Sequence, residues 1–188
     1  MPLNVLLLGP QGAGKGTQAM RISAEYGIPH IASGEILRAE LDAGTELGER
    51  VKETIERGDL VSDDLMIELI RSRLGQPDTE AGFVLDGFPR TIVQAEALDS
   101  MFADIGKNFS VAFALQIPDE VAFDRLRRRA RADDTDEAIQ RRLDNYHRET
   151  EPLIEFYRTR GNVVPIHANR SENEVFAEIS RALEQVPA

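Results

Sequence analysis

The sequence predicts an α/β fold in which a parallel sheet is covered by helices on both faces. Two observations carry this. Short apolar runs alternate with helical patterns along the 188 residues, and the first run stops at a glycine-rich loop that opens a helix. That length suits one domain with a sizeable core, and no long linker, low-complexity tract or internal repeat divides it.

The elements read in order as follows. "LNVLLLG" at 3–9 is a buried strand, and "KGTQAMRISAEYG" is a helix that ends at Gly27. A short strand falls at 29–32. From 34 to 61 the chain reads helix, turn, helix without a strand, carries glycines at 44, 48 and 58, and looks like an inserted flap. Further strands are expected at 82–87, 110–117 and 162–167. A helix starting near Asp119 ends in "RLRRRARADD", which packs five arginines into seven residues. Asp134 and Glu137 have the spacing of a cap on the next helix, which Pro152 breaks or bends.

Charge narrows the function. Formal net charge is -11, and 29 % of residues are charged. With a sequence pI near 4.8, a polyanion would be repelled by most of the surface, so general nucleic-acid binding is not expected. The arginine run is therefore a local device. There are no cysteines, which excludes disulfides and thiolate metal sites. No apolar run is long enough for a membrane span, and a cytoplasmic monomer is expected.

"GPQGAGKGTQ" at 9–18 contains G-x-x-x-x-G-K in the required setting, after a strand and opening a helix. Backbone N–H groups of Gly12, Ala13, Gly14 and Gly16 can turn around a phosphate, the helix N-terminus adds partial positive charge, and Lys15 reaches the β and γ phosphates. The usual hydroxyl after the lysine is displaced to Thr17, which suits a phosphate better than direct Mg²⁺ ligation. Asp86, ending "FVLD", sits where a carboxylate could hold Mg²⁺ through water. The three histidines read as structural.

Together with "IASGEILR", "GDLVSDD", "LDGFPRT" and "RRARADD", in this order, the loop closely resembles adenylate kinase across almost the whole chain. The resemblance implies a three-layer P-loop kinase fold with a parallel five-stranded sheet, a helical NMP-binding flap at 33–61 and a very short lid at 129–134. The core is then 1–32, 62–128 and 135–188. It implies reversible Mg²⁺-dependent transfer of the ATP γ-phosphoryl group to AMP, giving two ADP. Lys15, Arg90, Arg129, Arg131 and Arg142 would be catalytic. Arg125, Arg129 and, through its backbone, Arg170 would join the loop around ATP. AMP would meet Ser33, Arg38, Asp59, Leu60, Val61, Gly87, Phe88, Pro89, Arg90, Gln94, Arg131 and Arg142. A zinc lid is not expected without cysteines. Arg127 and Arg128 match nothing in the family and read equally well as a solvated helix face.

Phosphoryl transfer fits such a residue set. The acceptor phosphate, with a second pKa near 6, is already largely ionised at neutral pH, so no general base is needed. Arginines must instead bring two polyphosphates together. Ser33 with Gln94 favours AMP over UMP or CMP, the runner-up acceptors. A regulatory ATP-binding module and a nucleic-acid-binding protein built on the arginine run are the other readings.

Overall fold

A computed structural model describes residues 2–106, 108–161 and 163–186. The sheet has five parallel strands: β1 (Leu3–Leu8), β2 (His30–Ala32), β3 (Gly82–Asp86), β4 (Val111–Gln116) and β5 (Val163–His167), in the order β2-β3-β1-β4-β5. The strands fall where the sequence predicts them, and Asn162, expected to begin the last one, lies outside the described residues.

Successive residues of β1 point to opposite faces, and both faces are buried, which is why the strand reads as one apolar run. Leu6 and Leu8 join Phe83, Leu85 and Ala112 in a core covered by α4 (Asp63–Leu74), α5 (Ile92–Asp104) and α8 (Pro152–Arg158). Val5 and Leu7 join Val84, Phe113 and Leu115 in a second core, under α1 (Lys15–Tyr26) and α9 (Glu172–Leu183). The helix α6 (Asp119–Arg129) and α7 (Asp136–Asn145) pack through Ala122, Leu126, Ile139 and Leu143.

The strand order decides where the site lies. The chain leaves β1 toward one edge of the sheet and leaves β3 toward the other, so the adjacent carboxyl ends of β1 and β3 open a crevice. Leu7 pairs with Asp86 across these ends, which sets the glycine-rich loop beside the loop after β3.

One local expectation changes and one holds. The cap of α7 is Thr135, whose hydroxyl accepts from the Ala138 N–H, and not Asp134. The Asp134 carboxylate instead accepts from arginines, a stronger charged partner than one backbone N–H. Before Pro152 the chain winds into a π-turn over Tyr146–Thr150, so α8 starts afresh at the proline.

Between the strands, α2 (Ser33–Asp42) and α3 (Glu46–Arg57) form an antiparallel pair. Gly44 and Gly58 end helices, but Gly48 lies inside the first turn of α3. A Cβ there would stand 2.3 Å from the Glu40 carbonyl oxygen, so close approach of two backbones explains the glycine. Replacing a helical glycine by alanine ordinarily stabilises by about 1 kcal/mol. Here overpacking should reverse the sign, with Gly48→Ala destabilising by about 1–3 kcal/mol as read by the urea midpoint at unchanged m-value.

Candidate active site

The crevice is a cavity of about 390 Å³ that continues into a smaller one of about 60 Å³. Seven cations, Lys15, Arg38, Arg90, Arg125, Arg129, Arg131 and Arg142, line the larger part against two carboxylates, Glu35 and Asp86. In a chain of net charge -11, this is a concentrated anion site.

The glycine-rich loop forms one wall. Gly12 has φ +84°, and a Cβ would lie 2.7 Å from the Ala122 carbonyl oxygen, so only glycine lets the loop pass this close to α6. The Lys15 ammonium folds back and donates to the carbonyls of Gly9 and Pro10, both at 2.9 Å. Burial lowers its pKa to about 8, opposed by Asp86 and assisted by Arg90 and Arg129. Arg125 donates to Gly12 O at 3.2 Å and Ala168 O at 3.1 Å, thereby bracing the loop against β5's exit.

Asp86 ends β3 beneath this loop. Burial would raise its pKa, but His30, Lys15 and Arg90 outweigh that and hold the carboxyl below the usual range. His30 Nε2 stands 3.7 Å from Asp86 Oδ2, beyond a full hydrogen bond, and has no such partner among the described residues. We therefore read this contact as electrostatic. Strand pairing of β2 with β3, and no local sequence pattern, brings His30 beside Asp86. His147 does bridge structural elements as expected, between Asp119 and Glu151.

The loop after β3 supplies the floor. The Gly87 carbonyl accepts from Ser33 Oγ and Arg90 Nε, both at 2.8 Å, and the Phe88–Pro89 peptide is cis. Thr150 Oγ1 donates to the Arg90 carbonyl at 2.8 Å. Burial first, and then neighbouring arginines, lower the pKa values of Arg90 and Arg38, against the opposing carboxylates of Asp86 and Asp133.

The turn after α6 brings the remaining arginines. Asp134 accepts from Arg129 Nε at 2.9 Å, from Arg142 Nη1 at 2.8 Å and from the Arg131 N–H at 3.1 Å. Asp133 pairs with Arg142 Nη2, which also donates to Ile55 O. Asn145 Nδ2 donates to Gly58 O at 3.2 Å. The far end of α3 is thus docked on α7.

The smaller cavity is lined by Ser33, Asp59, Leu60, Val61 and Gln94, and it shares Arg38, Gly87, Arg90 and Arg142 with the larger. Gly12, Gly14, Gly16, Thr17, Pro89 and Arg131 line the larger part. Three expected site residues do not line either. Ala13 and Phe88 are buried in the core, and Arg170 is exposed, donating to the His167 carbonyl and pairing with Glu178. Arg127 points to solvent and pairs with Asp136, in line with a solvated face. Asn145, the last residue of α7, and Tyr146 and Thr150, at the two ends of the π-turn, also line the larger cavity, and nothing in "DNYHRET" announces such a turn.

The residues present suit Mg²⁺ arriving with a polyphosphate. No group of three His, Cys, Asp or Glu residues among those described could cage a metal alone, whereas Asp86 offers one ionised carboxylate beside the phosphate loop.

The family model for adenylate kinase matches residues 7–162. The adenylate kinase of Xanthomonas euvesicatoria pv. vesicatoria is 43 % identical over 185 residues, covering 96 % of this chain and 99 % of the relative. Those of Acetivibrio thermocellus and Methanosarcina barkeri are 37 % and 39 % identical over 215 and 213 residues, covering 98 % and 97 % of this chain and 99 % of each relative. These two matches exceed the chain's own 188 residues, so both relatives hold residues without a counterpart here. A phosphate loop, a shared set of arginines and matches along nearly the whole chain agree: it belongs to the adenylate kinase family of phosphotransferases.

Proposed function

We propose that this enzyme transfers the γ-phosphoryl group of MgATP reversibly to AMP, giving two ADP, and so balances the cell's adenine nucleotides. One observation supports this most directly: two cavities, one on the phosphate loop and one between Ser33 and Gln94, share Arg38, Arg90 and Arg142. Arginines common to both compartments can hold donor and acceptor phosphates against their mutual repulsion.

In this reading ATP lies on the loop of Gly12 to Thr17, with its phosphates taking the place of the carbonyls now bonded to Lys15. AMP lies in the smaller cavity, its phosphate on Arg38 and Arg90 and its base at Gln94. An AMP phosphate oxygen bonds the γ-phosphorus while the bond from that phosphorus to the β-bridging oxygen breaks. The attacking oxygen carries no proton at neutral pH, so no residue removes one. Mg²⁺, held through water by Asp86, would neutralise phosphate charge. Arg129, Arg131 and Arg142 surround the group in transit. The α2–α3 pair acts as the flap and the 129–134 turn as the lid, excluding water so that ATP hydrolysis stays slow. Both compartments come from one chain, which suits a cytoplasmic monomer needing only small nucleotides. No helix among the described residues is long and apolar enough to cross a membrane.

The test is product formation from MgATP with AMP, UMP, CMP or no acceptor. Two ADP per AMP consumed, with UMP and CMP inert, is expected, and absence of transfer to AMP overturns the reading. Arg90→Ala should lower kcat at least roughly 10³-fold with the fold intact by circular dichroism.

Lys15 adds a proton-linked prediction. Its folded pKa of about 8 is below the ordinary 10.5, so the free enzyme holds fewer protons than the unfolded chain between these values. Ligand-free stability should therefore gain from this group as pH rises from about 8 to 10.5. ATP phosphates should raise the pKa again, so binding at pH 8 takes up about half a proton, read by calorimetry in two buffers of different ionisation enthalpy. Lys15→Met should abolish the uptake.

A further inference from the structure

Gln94 is 2 % exposed, yet it lines the smaller cavity, and its amide is held at both ends. Its Oε1 accepts from the Arg90 N–H at 2.8 Å, and its Nε2 donates to Asp63 Oδ1 at 2.8 Å. The same carboxylate oxygen accepts from Thr91 Oγ1 at 2.9 Å. Asp63 is the first residue of α4, half-buried, and does not itself line either cavity.

The chemistry of these partners fixes which end of the amide is which. A backbone N–H can only donate, and an ionised carboxylate can only accept. Turning the amide over would set N–H against N–H and carbonyl against carboxylate, losing two hydrogen bonds, one of them charge-assisted. An amide has two lone pairs and two hydrogens, so after these contacts one of each remains for a ligand. The pair is offered in one order only.

We propose that Asp63 is a positioning residue for base selection, holding Gln94 in the orientation that reads a 6-amino purine and rejects a 6-oxo purine. The inference rests on the proposed placement of the acceptor base at Gln94. Adenine presents a donor at its 6-amino group beside an acceptor at N1. Hypoxanthine, in the same pose, presents an acceptor at O6 beside a donor at N1, which is the reverse order. A free glutamine would serve either base by rotating its amide. Held by Asp63, Gln94 serves one. Cytosine shares the order of adenine, so inosine monophosphate is the discriminating probe, since it differs from AMP at that edge alone.

The experiment measures kcat/KM for AMP and for inosine monophosphate with the wild type, Asp63→Asn, Asp63→Ser and Gln94→Leu. Wild type should favour AMP by about 100-fold or more, from two hydrogen bonds reversed in a buried site. Both Asp63 variants place a group able to donate beside Gln94. In either one, whichever folds, the ratio should fall at least about tenfold, with turnover of inosine monophosphate rising in absolute terms and KM for ATP unchanged. A ratio held within twofold, while Gln94→Leu collapses it, overturns the role of Asp63 and keeps Gln94 at the base. A loss shared equally by both acceptors also overturns it, because that marks general damage. If Gln94→Leu leaves the ratio intact, the placement of the base is wrong and the proposal falls with it.

Discussion

The constraint on which this structure depends is the repulsion among cations that must share one cleft. Two unit charges 5 Å apart repel by roughly 3 kcal/mol at the effective dielectric of a partly buried site. Seven such groups line the larger cavity. The fold meets the repulsion mostly with backbone carbonyls: Gly9 and Pro10 for Lys15, Gly12 and Ala168 for Arg125, Gly87 for Arg90, Ile55 for Arg142. These partners carry partial charge only. They fix each side chain in direction without neutralising it, and the cleft stays strongly attractive to a polyphosphate. This is why the loops bordering it are short, glycine-containing and closely packed, since their carbonyls must turn inward to serve.

Asp134, joined on Arg142 by Asp133, instead uses full charge. Its side chain is completely covered, and it binds Arg129, Arg142 and the backbone of Arg131 at once. Burial would raise its pKa, but hydrogen bonds from Arg129 and the charges of Arg129 and Arg142 hold it below the ordinary value. A buried carboxylate is tolerated where several donors surround it, and removing it would take the ion pair from Arg129 and leave Arg142 to Asp133. One acidic residue thus sets the positions of three basic ones, and the arginine run of the sequence becomes an ordered array instead of a diffuse patch.

The sequence displayed the sheet and the phosphate loop plainly because both have local causes. A strand covered on two faces is an apolar run, and a loop that must wrap an anion is rich in glycine. The role of Asp134 was misread as a helix cap, since D-x-x-E spacing is equally good for capping, and only the approach of α6 to α7 shows that arginines claim the carboxylate first. Nothing beside Gly48 in the sequence shows why it is glycine, because the reason is a backbone crossing with α2. His30 and Tyr146 reach the site through strand order and a π-turn, neither of which leaves a mark on nearby residues. Asp63 is hidden by distance, since it lies 31 positions from Gln94.

The very short turn after α6 has a consequence for how the cleft can be covered. Ala130 ends the helix in the left-handed region at φ 52°, and only this residue separates Arg129 from Arg131. The turn is anchored on both sides by the packing of α6 on α7 through Leu126 and Ile139. It has no room for a body that swings independently. In the proposed mechanism, cover over a bound nucleotide comes from long arginine side chains, whose aliphatic stems exclude water while their heads hold phosphate, and from the α2–α3 pair. The latter meets α7 at Gly58 and Ile55, through Asn145 and Arg142. Arg142 therefore belongs at once to the charge array and to the seam between these parts. Exchanging its acidic partners for phosphate, as the proposed mechanism requires, would alter the cleft's charge and the seam's bonding in a single step, because the same guanidinium holds both.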